Sequence, residues 1–172
     1  DRFDMELVPE FKKHSGKLKR IVWFGYRHNA ETIEGAIPTL ERLNIALTVI
    51  SDEDPLMWRF AHNTEHYRKS YKYHKYNEES IYQRLQEAQA CLLPDGLRPQ
   101  DRFKSNNKTI KAQLAGLPVA KNIDDLERLM SDVERNKEAE YNYKQAKKAY
   151  DVKLSVKEYK ELINEVRNNP IK

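Results

Sequence analysis

Five short apolar runs punctuate the chain up to residue 120, and each leads into a segment whose apolar residues recur at helical spacing. They are Arg20–Phe24, Ile45–Ile50, Tyr71–Tyr76, Ala90–Leu93 and Pro118–Ala120. Ile45–Ile50 carries almost no polar residue, so as a strand it has no face suited to water and must be covered by helices on both sides. Tyr71–Tyr76 alternates aromatic with polar residues, as a half-exposed edge strand does. Strands alternating with helices in this way imply right-handed crossovers and a parallel sheet.

The expected fold class is therefore α/β: a Rossmann-like three-layer sandwich with a mostly parallel sheet of about five strands, plus C-terminal helices. Residues 1–19, interrupted by Pro9 and Gly16, read as a lead-in or linker whose cluster Lys12, Lys13, Lys17, Lys19 and Arg20 is solvated. Asn29 is expected to cap a helix bearing Ile33, Ile37, Leu40 and Leu43, which Pro38 kinks or shortens. Leu56–Asn63 suits a short helix, and Asn77 with Glu78 and Glu79 a charged helix start ahead of Ile81, Tyr82, Leu85 and Ala88. Asn122 is placed to cap a helix carrying Ile123, Leu126, Met130 and Val133. Residues 134–172 are charged helix formers expected to pack on the sheet domain of residues 20–133, with Ser155 and Glu158 as a capping box for the last helix.

Composition narrows the function classes. Thirty-one basic against 27 acidic residues leave a net charge of +4, too balanced to argue for nucleic acid without clustering on one face. Tyr and Lys residues between 67 and 76 could stack on bases and meet phosphates, but an edge strand kept soluble by lysine uses the same residues. The lone Cys91 excludes a disulfide framework and sits in an apolar run, as a small buried hydrophobe in a reducing compartment does. No run approaches the ~20 apolar residues of a membrane span and no signal peptide opens the chain, so a cytoplasmic protein is expected. The chain begins at Asp1 rather than methionine, as a fragment of something longer or a processed product does. His62 and His66 share a helical face without a carboxylate at zinc-site spacing, and His74 adds none, so no metal is expected.

Ligands of open parallel sheets sit beyond the C-terminal ends of strands. Two loops there carry suitable chemistry. After the first run, Gly25 allows close backbone approach and Arg27 can hold a phosphate bidentately, with His28 and Asn29 following. After the fourth, Arg102–Val119 opens with Lys104 and Lys108 around Ser105, Asn106 and Asn107, continues as a helix from Thr109 to Ala115, and stops at Gly116 before Pro118. Such a loop-to-helix junction attracts phosphate through backbone amides, the positive end of the macrodipole and two ammonium groups. An ordinary capped surface helix would use the same residues. The first loop lacks Gly-x-Gly-x-x-Gly, which argues against a dinucleotide oxidoreductase.

Between about Arg20 and Val133 the order of elements resembles the C-terminal, donor-binding half of GT-B glycosyltransferases. The residues that carry the resemblance are Ile21-Val22-Trp23-Phe24-Gly25, Ile37-Pro38-x-Leu40, Ala88-x-Ala90-Cys91-Leu92-Leu93-Pro94, Lys104-Ser105-Asn106-Asn107-Lys108 and Ala115-Gly116-Leu117-Pro118-Val119. The resemblance implies a nucleoside-diphosphate-sugar donor as substrate, with no separate cofactor, and transfer of its sugar to an unknown acceptor. It implies that Gly25, Arg27, Lys104, Ser105, Asn106, Asn107, Lys108 and Thr109 lie at the donor's phosphates. It also implies a separate N-terminal acceptor-binding domain, for which this chain has no room. Many retaining members carry two glutamates, the second just before Ala-x-Ala-x-Gly-x-Pro; here Phe103 and Lys111 occupy those places, and Lys111 cannot accept hydrogen bonds from ribose hydroxyls. A non-catalytic nucleotide- or partner-binding module of the same fold is the alternative.

Overall fold

A computed structural model describes residues 2–57, 70–96 and 105–168. Its centre is a five-stranded, all-parallel sheet in the order β3-β2-β1-β4-β5. The strands are β1 (Arg20–Phe24), β2 (Ala46–Ser51), β3 (Tyr71–Lys75), β4 (Ala90–Leu92) and β5 (Val119–Ala120). Each coincides with an expected apolar run to within a residue or so. Burial explains why: Ile21, Val22, Trp23 and Phe24 of β1 and Leu47, Val49 and Ile50 of β2 are covered on both faces, leaving β3 as the half-exposed edge. Cys91 lies fully buried in β4, where burial pushes its thiol well above the ordinary range.

The chain first builds outward from β1 through β2 to β3, then returns to β1's other side for β4 and β5. That reversal places a topological switch between β1 and β4, where the loops leaving their C-terminal ends turn apart and open a crevice.

The single helix expected after β1 is divided. A 3-10 turn, Arg27–Asn29, leads into α1 (Glu31–Glu34), and Pro38 sits in the first turn of a separate α2 (Ile37–Arg42), where a missing N–H costs nothing. Asn29 does not cap: it ends the 3-10 turn and its carbonyl accepts from the Thr32 hydroxyl at 2.8 Å. Asn44, with φ 56°, closes α2 through Ile45 N–H to Leu40 O at 2.9 Å. Asn77 accepts from the Glu79 and Ser80 amides just ahead of α3 (Ile81–Leu85). The short helix expected over Leu56–Asn63, and His62 and His66, fall largely outside the described residues.

β4 and β5 are joined through α4 (Asn107–Leu114), which ends at Gly116 with φ 78°. Gly116 N–H bonds Gln113 O at 2.9 Å and Leu117 N–H bonds Ala112 O at 3.0 Å, a helix stop that requires the left-handed conformation. A Cβ at Gly116 would also come within 3.2 Å of the Phe11 ring. Asn122 caps α5 (Ile123–Arg128) as expected, accepting from Asp125 N–H at 2.8 Å, and Ser131 caps α6 (Asp132–Ala149).

Residues 2–19 form a packed strap. Val8, His14 and Leu18 are buried, the Tyr143 hydroxyl donates to Pro9 O at 2.7 Å, and Asn136 brackets the backbone of His14 from both sides. His14 donates from Nε2 to Gly116 O at 2.7 Å, and burial lowers its pKa. The fully buried Arg135 anchors the strap from the other side, reaching Leu129 O at 2.8 Å, Met130 O at 2.9 Å and Gly16 O. These carbonyls lie at the negative end of α5 and in the strap, so they offset the guanidinium where no carboxylate pairs with it among the described residues.

α6 packs on α4 through Tyr143 and Ala146, which cluster with Ile110 and Leu114. The last helix, α7 (Val152–Asn168), buries no residue: Val156, Tyr159, Ile163 and Val166 are half-exposed or more. Its start is also earlier than the expected capping box. Phe3 bridges Asp151, Val152 N–H reaches Phe3 O at 2.9 Å, and Asp151 accepts from Lys153 N–H at 2.8 Å, which leaves Ser155 inside the helix. No helix among the described residues is long and apolar enough to cross a membrane.

Candidate functional site

A cleft of about 990 Å³ opens at the C-terminal edge of the sheet, at the upper end of the ~300–1,000 Å³ of small-molecule sites. Its floor is Phe24 and Gly25, its first wall Ser105, Asn107 and Lys108 at the start of α4, and its second wall Lys75, Tyr76 and Glu78 at and beyond the end of β3. It therefore spans the ends of β1, β3 and β4, across the switch point.

Gly25 is where the two expected loops meet. Its N–H continues the sheet to Ile50 O at 3.1 Å, its φ is 158°, and a Cβ there would lie 3.2 Å from Lys108 Nζ and 3.3 Å from the Trp23 ring. Lys108 Nζ stands 5.9 Å from the centre of that ring, a cation over an aromatic face. Replacing Gly25 by alanine is expected to cost about 1–3 kcal/mol through backbone strain and crowding, read from the urea midpoint; an unshifted midpoint would show that the loop relaxes freely.

The other predicted residues divide. Ser105 and Asn107 line the cleft with Lys108. Asn106 is the N-cap of α4, exposed, and its side chain makes no capping bond; the first intrahelical bond runs from Ile110 N–H to Asn106 O at 2.9 Å. The helix start therefore lies two residues before Thr109, whose hydroxyl accepts from Lys121 Nζ at 3.2 Å. Arg27 points elsewhere: its guanidinium pairs with Glu53, and both side chains are more than half exposed. The Arg27 amide donates to Asp52 Oδ1 at 2.8 Å, and this bond, with one from the Ser51 hydroxyl, holds the Asp52 carboxyl below the usual carboxylate range. Lys104 lies outside the described residues.

Sequence reasoning missed Asp52, Lys75, Tyr76 and Glu78. All lie at or just beyond the C-terminal ends of β2 and β3, so the rule that selected Gly25 and Ser105 extends to them when it is applied to every strand. Tyr26 is two-thirds exposed and stacks on His28, with planes 5° apart and centres 5.8 Å apart. By contrast, Tyr71 and Tyr73 of the edge strand turn their hydroxyls inward, to Asp54 at 2.5 Å and Ser51 O at 3.3 Å.

The cleft is electrostatically divided. At one side Lys108 and the positive end of the eight-residue α4 favour an anion. At the other, Glu78 accepts from Lys111 Nζ at 2.6 Å, and Lys111 also reaches the Tyr76 hydroxyl at 3.1 Å. Burial disfavours the Lys111 charge, yet its bonds to Glu78 and Tyr76 outweigh this and raise its pKa; the same contacts lower that of Glu78.

Similar folds occur among solved structures. The chain superposes on WaaG, a glycosyltransferase involved in lipopolysaccharide biosynthesis, with a TM-score of 0.58 and 14% identity over 77% of this chain and 43% of WaaG. It superposes on TarM with a TM-score of 0.62 and 12% identity, covering 91% of this chain and 37% of TarM. A variant of TarM from S. aureus, in complex with Fondaparinux, alpha-GlcNAc-glycerol and UDP, matches equally well, with a TM-score of 0.62. The chain has the fold of a GT-B glycosyltransferase domain. It spans about two fifths of the length of each of these proteins. No protein-family model matches the sequence, and no curated protein does.

Proposed function

We propose that this chain is the donor-binding domain of a glycosyltransferase that moves a sugar from a nucleoside diphosphate to an acceptor. The observation that carries the reading is Lys108 poised over Gly25 at the mouth of α4, in the crevice between β1 and β4. An extended diphosphate fits there because glycine removes the Cβ that would hold it off, while the ammonium and the helix dipole supply positive charge.

In transfer, the bond between the sugar's anomeric carbon and the diphosphate oxygen breaks, and charge builds on that oxygen. Groups already aimed at the diphosphate then stabilise the leaving group more than the bound donor, which is what accelerates the step. The acceptor, and the base that takes its proton, belong in this reading to a second domain facing the cleft. The fold likeness to a lipopolysaccharide glycosyltransferase supports the reading.

Thermal unfolding with and without uridine, guanosine and adenosine diphosphates tests it. A ligand at a hundredfold excess over its dissociation constant adds about 2.7 kcal/mol to stability, which at this chain length raises Tm by roughly 5–10 °C. No shift with any of them, and none with inorganic pyrophosphate, would remove the assignment.

A further inference from the structure

On α7 the residues Val152, Val156, Tyr159, Ile163 and Val166 recur at alternating steps of four and three, the 3.5-residue period of a coiled-coil seam. Leu162 widens the stripe on one side. All six are exposed, from 38% at Val152 to 67% at Tyr159, and none joins either hydrophobic cluster of the described residues. Scattered exposed apolar residues are ordinary, but a continuous seam along a helix is not.

The charges beside the stripe narrow what can cover it. Lys153, Lys160 and Arg167 run along one edge, Glu158 and Glu165 along the other beyond Leu162, and Lys157 approaches Glu161 at 3.9 Å on the far side. A polar face so nearly balanced lacks the excess of Lys and Arg with which a helix lies on an anionic membrane. A partner of a single sign would be repelled at one edge. A helix with one basic and one acidic edge is instead complementary to a copy of itself. Laid side by side in the same direction about a two-fold axis, the basic edge of each helix meets the acidic edge of the other, whereas opposed directions set like against like. Lys160 and Arg167 of one copy then come within two residues of level with Glu158 and Glu165 of the other. Exposed ion pairs add little energy each, so the apolar stripe supplies the association and the edges fix its direction.

We propose that α7 pairs with α7 of a second copy of this chain, parallel and in register, as the two-helix stem of a homodimer. The strap ties that stem to the cleft. Arg2 and Phe3 line the cleft and also hold the start of α7: Arg2 donates to Ala149 O at 2.7 Å and to Glu158 at 2.9 Å, and Phe3 O accepts from Val152 N–H at 2.9 Å. Parallel pairing therefore brings the two clefts to the same end of the dimer. The pairing requires nothing of what the cleft binds.

Sedimentation equilibrium of the 172-residue chain tests the proposal. Because α7 offers only about 25 Å of helix, the dimer is weak, and the mass should climb from 20.4 kDa toward twice that between about 1 µM and about 1 mM. Ile163→Glu, at the middle of the seam, should stay monomeric throughout, since each carboxylate would be buried against its own symmetry mate. Its Tm at low concentration should equal that of the parent, because Ile163 is half-exposed and belongs to neither cluster. Val166→Cys should join to itself on oxidation: parallel register sets the two positions opposite each other, while antiparallel pairing about Tyr159 holds them roughly 20 Å apart. Cys91 is buried and does not compete. A parent chain that remains at 20.4 kDa overturns the proposal, and if that monomer sediments with phosphatidylserine vesicles the face belongs to a membrane. A dimer that Ile163→Glu leaves intact, a mass tending to three or more copies, or a Val166→Cys dimer that oxidation does not join overturns it as well.

Discussion

Lys108→Ala is expected to weaken nucleoside diphosphate binding about tenfold to a hundredfold, since a hydrogen bond to a charged group is worth ~1.5–3 kcal/mol. The variant should fold normally. Lys108 is exposed in the first turn of α4, and its interaction with the Trp23 face, 5.9 Å away, is of the kind worth only ~0.5–1 kcal/mol at exposed sites. Stability and affinity are thus separable at this residue. Added salt should weaken the parent chain more than the variant, because a screened ammonium contributes less. Calorimetry that shows unchanged affinity would mean that the anion lies elsewhere.

The largest stability effect is expected far from the cleft. Arg135→Ala should destabilise the fold by about 3 kcal/mol or more, since each buried carbonyl left without its donor costs ~1–3 kcal/mol. The guanidinium is fully covered, and its removal strips hydrogen bonds from the carbonyls of Leu129, Met130 and Gly16 while opening a cavity between α5, α6 and the strap. Arg135→Lys should recover only part of the loss, because one ammonium cannot replace a planar fork that spans three carbonyls. Urea denaturation reads the effect directly. A change below about 1 kcal/mol, the size of one ordinary hydrogen bond, would show that strap and helix hold together without it.

These two residues differ in how visible they are in sequence. Lys108 is legible because it falls in a loop after an apolar run and ahead of a helix stop, Gly116, whose chemistry is local. Arg135 sits among Asp132, Glu134 and Lys137 in a charged run that reads as a solvated face, and nothing nearby distinguishes it. Its burial depends on Gly16, more than a hundred residues away. The same distance effect explains the strap. Residues 2–19 lack a period because they form no regular element, and Val8, His14 and Leu18 are buried by surfaces that exist only once α4, α6 and the sheet are assembled.

The cleft shows the same division. Gly25 and Ser105 were found by their position after strands, while Arg27, chosen on equal grounds, turns to Glu53. Which way a long side chain points is set by its neighbours in space. Lys111 illustrates this most clearly: in sequence it is a missing carboxylate, and in three dimensions it holds one, Glu78, from a loop that sequence order leaves 33 residues away.

Sequence alone determined the number of strands, their positions and their parallel pairing, because apolar runs without a polar face admit only a doubly covered sheet. It also determined the helix stop at Gly116, which depends on a backbone conformation that few residues tolerate. Only the tertiary structure decided which charges face the cleft, which are spent on structural pairs, and that residues 2–19 pack as a strap. Those choices are made by contacts between segments far apart in the chain, and no local period or propensity records them.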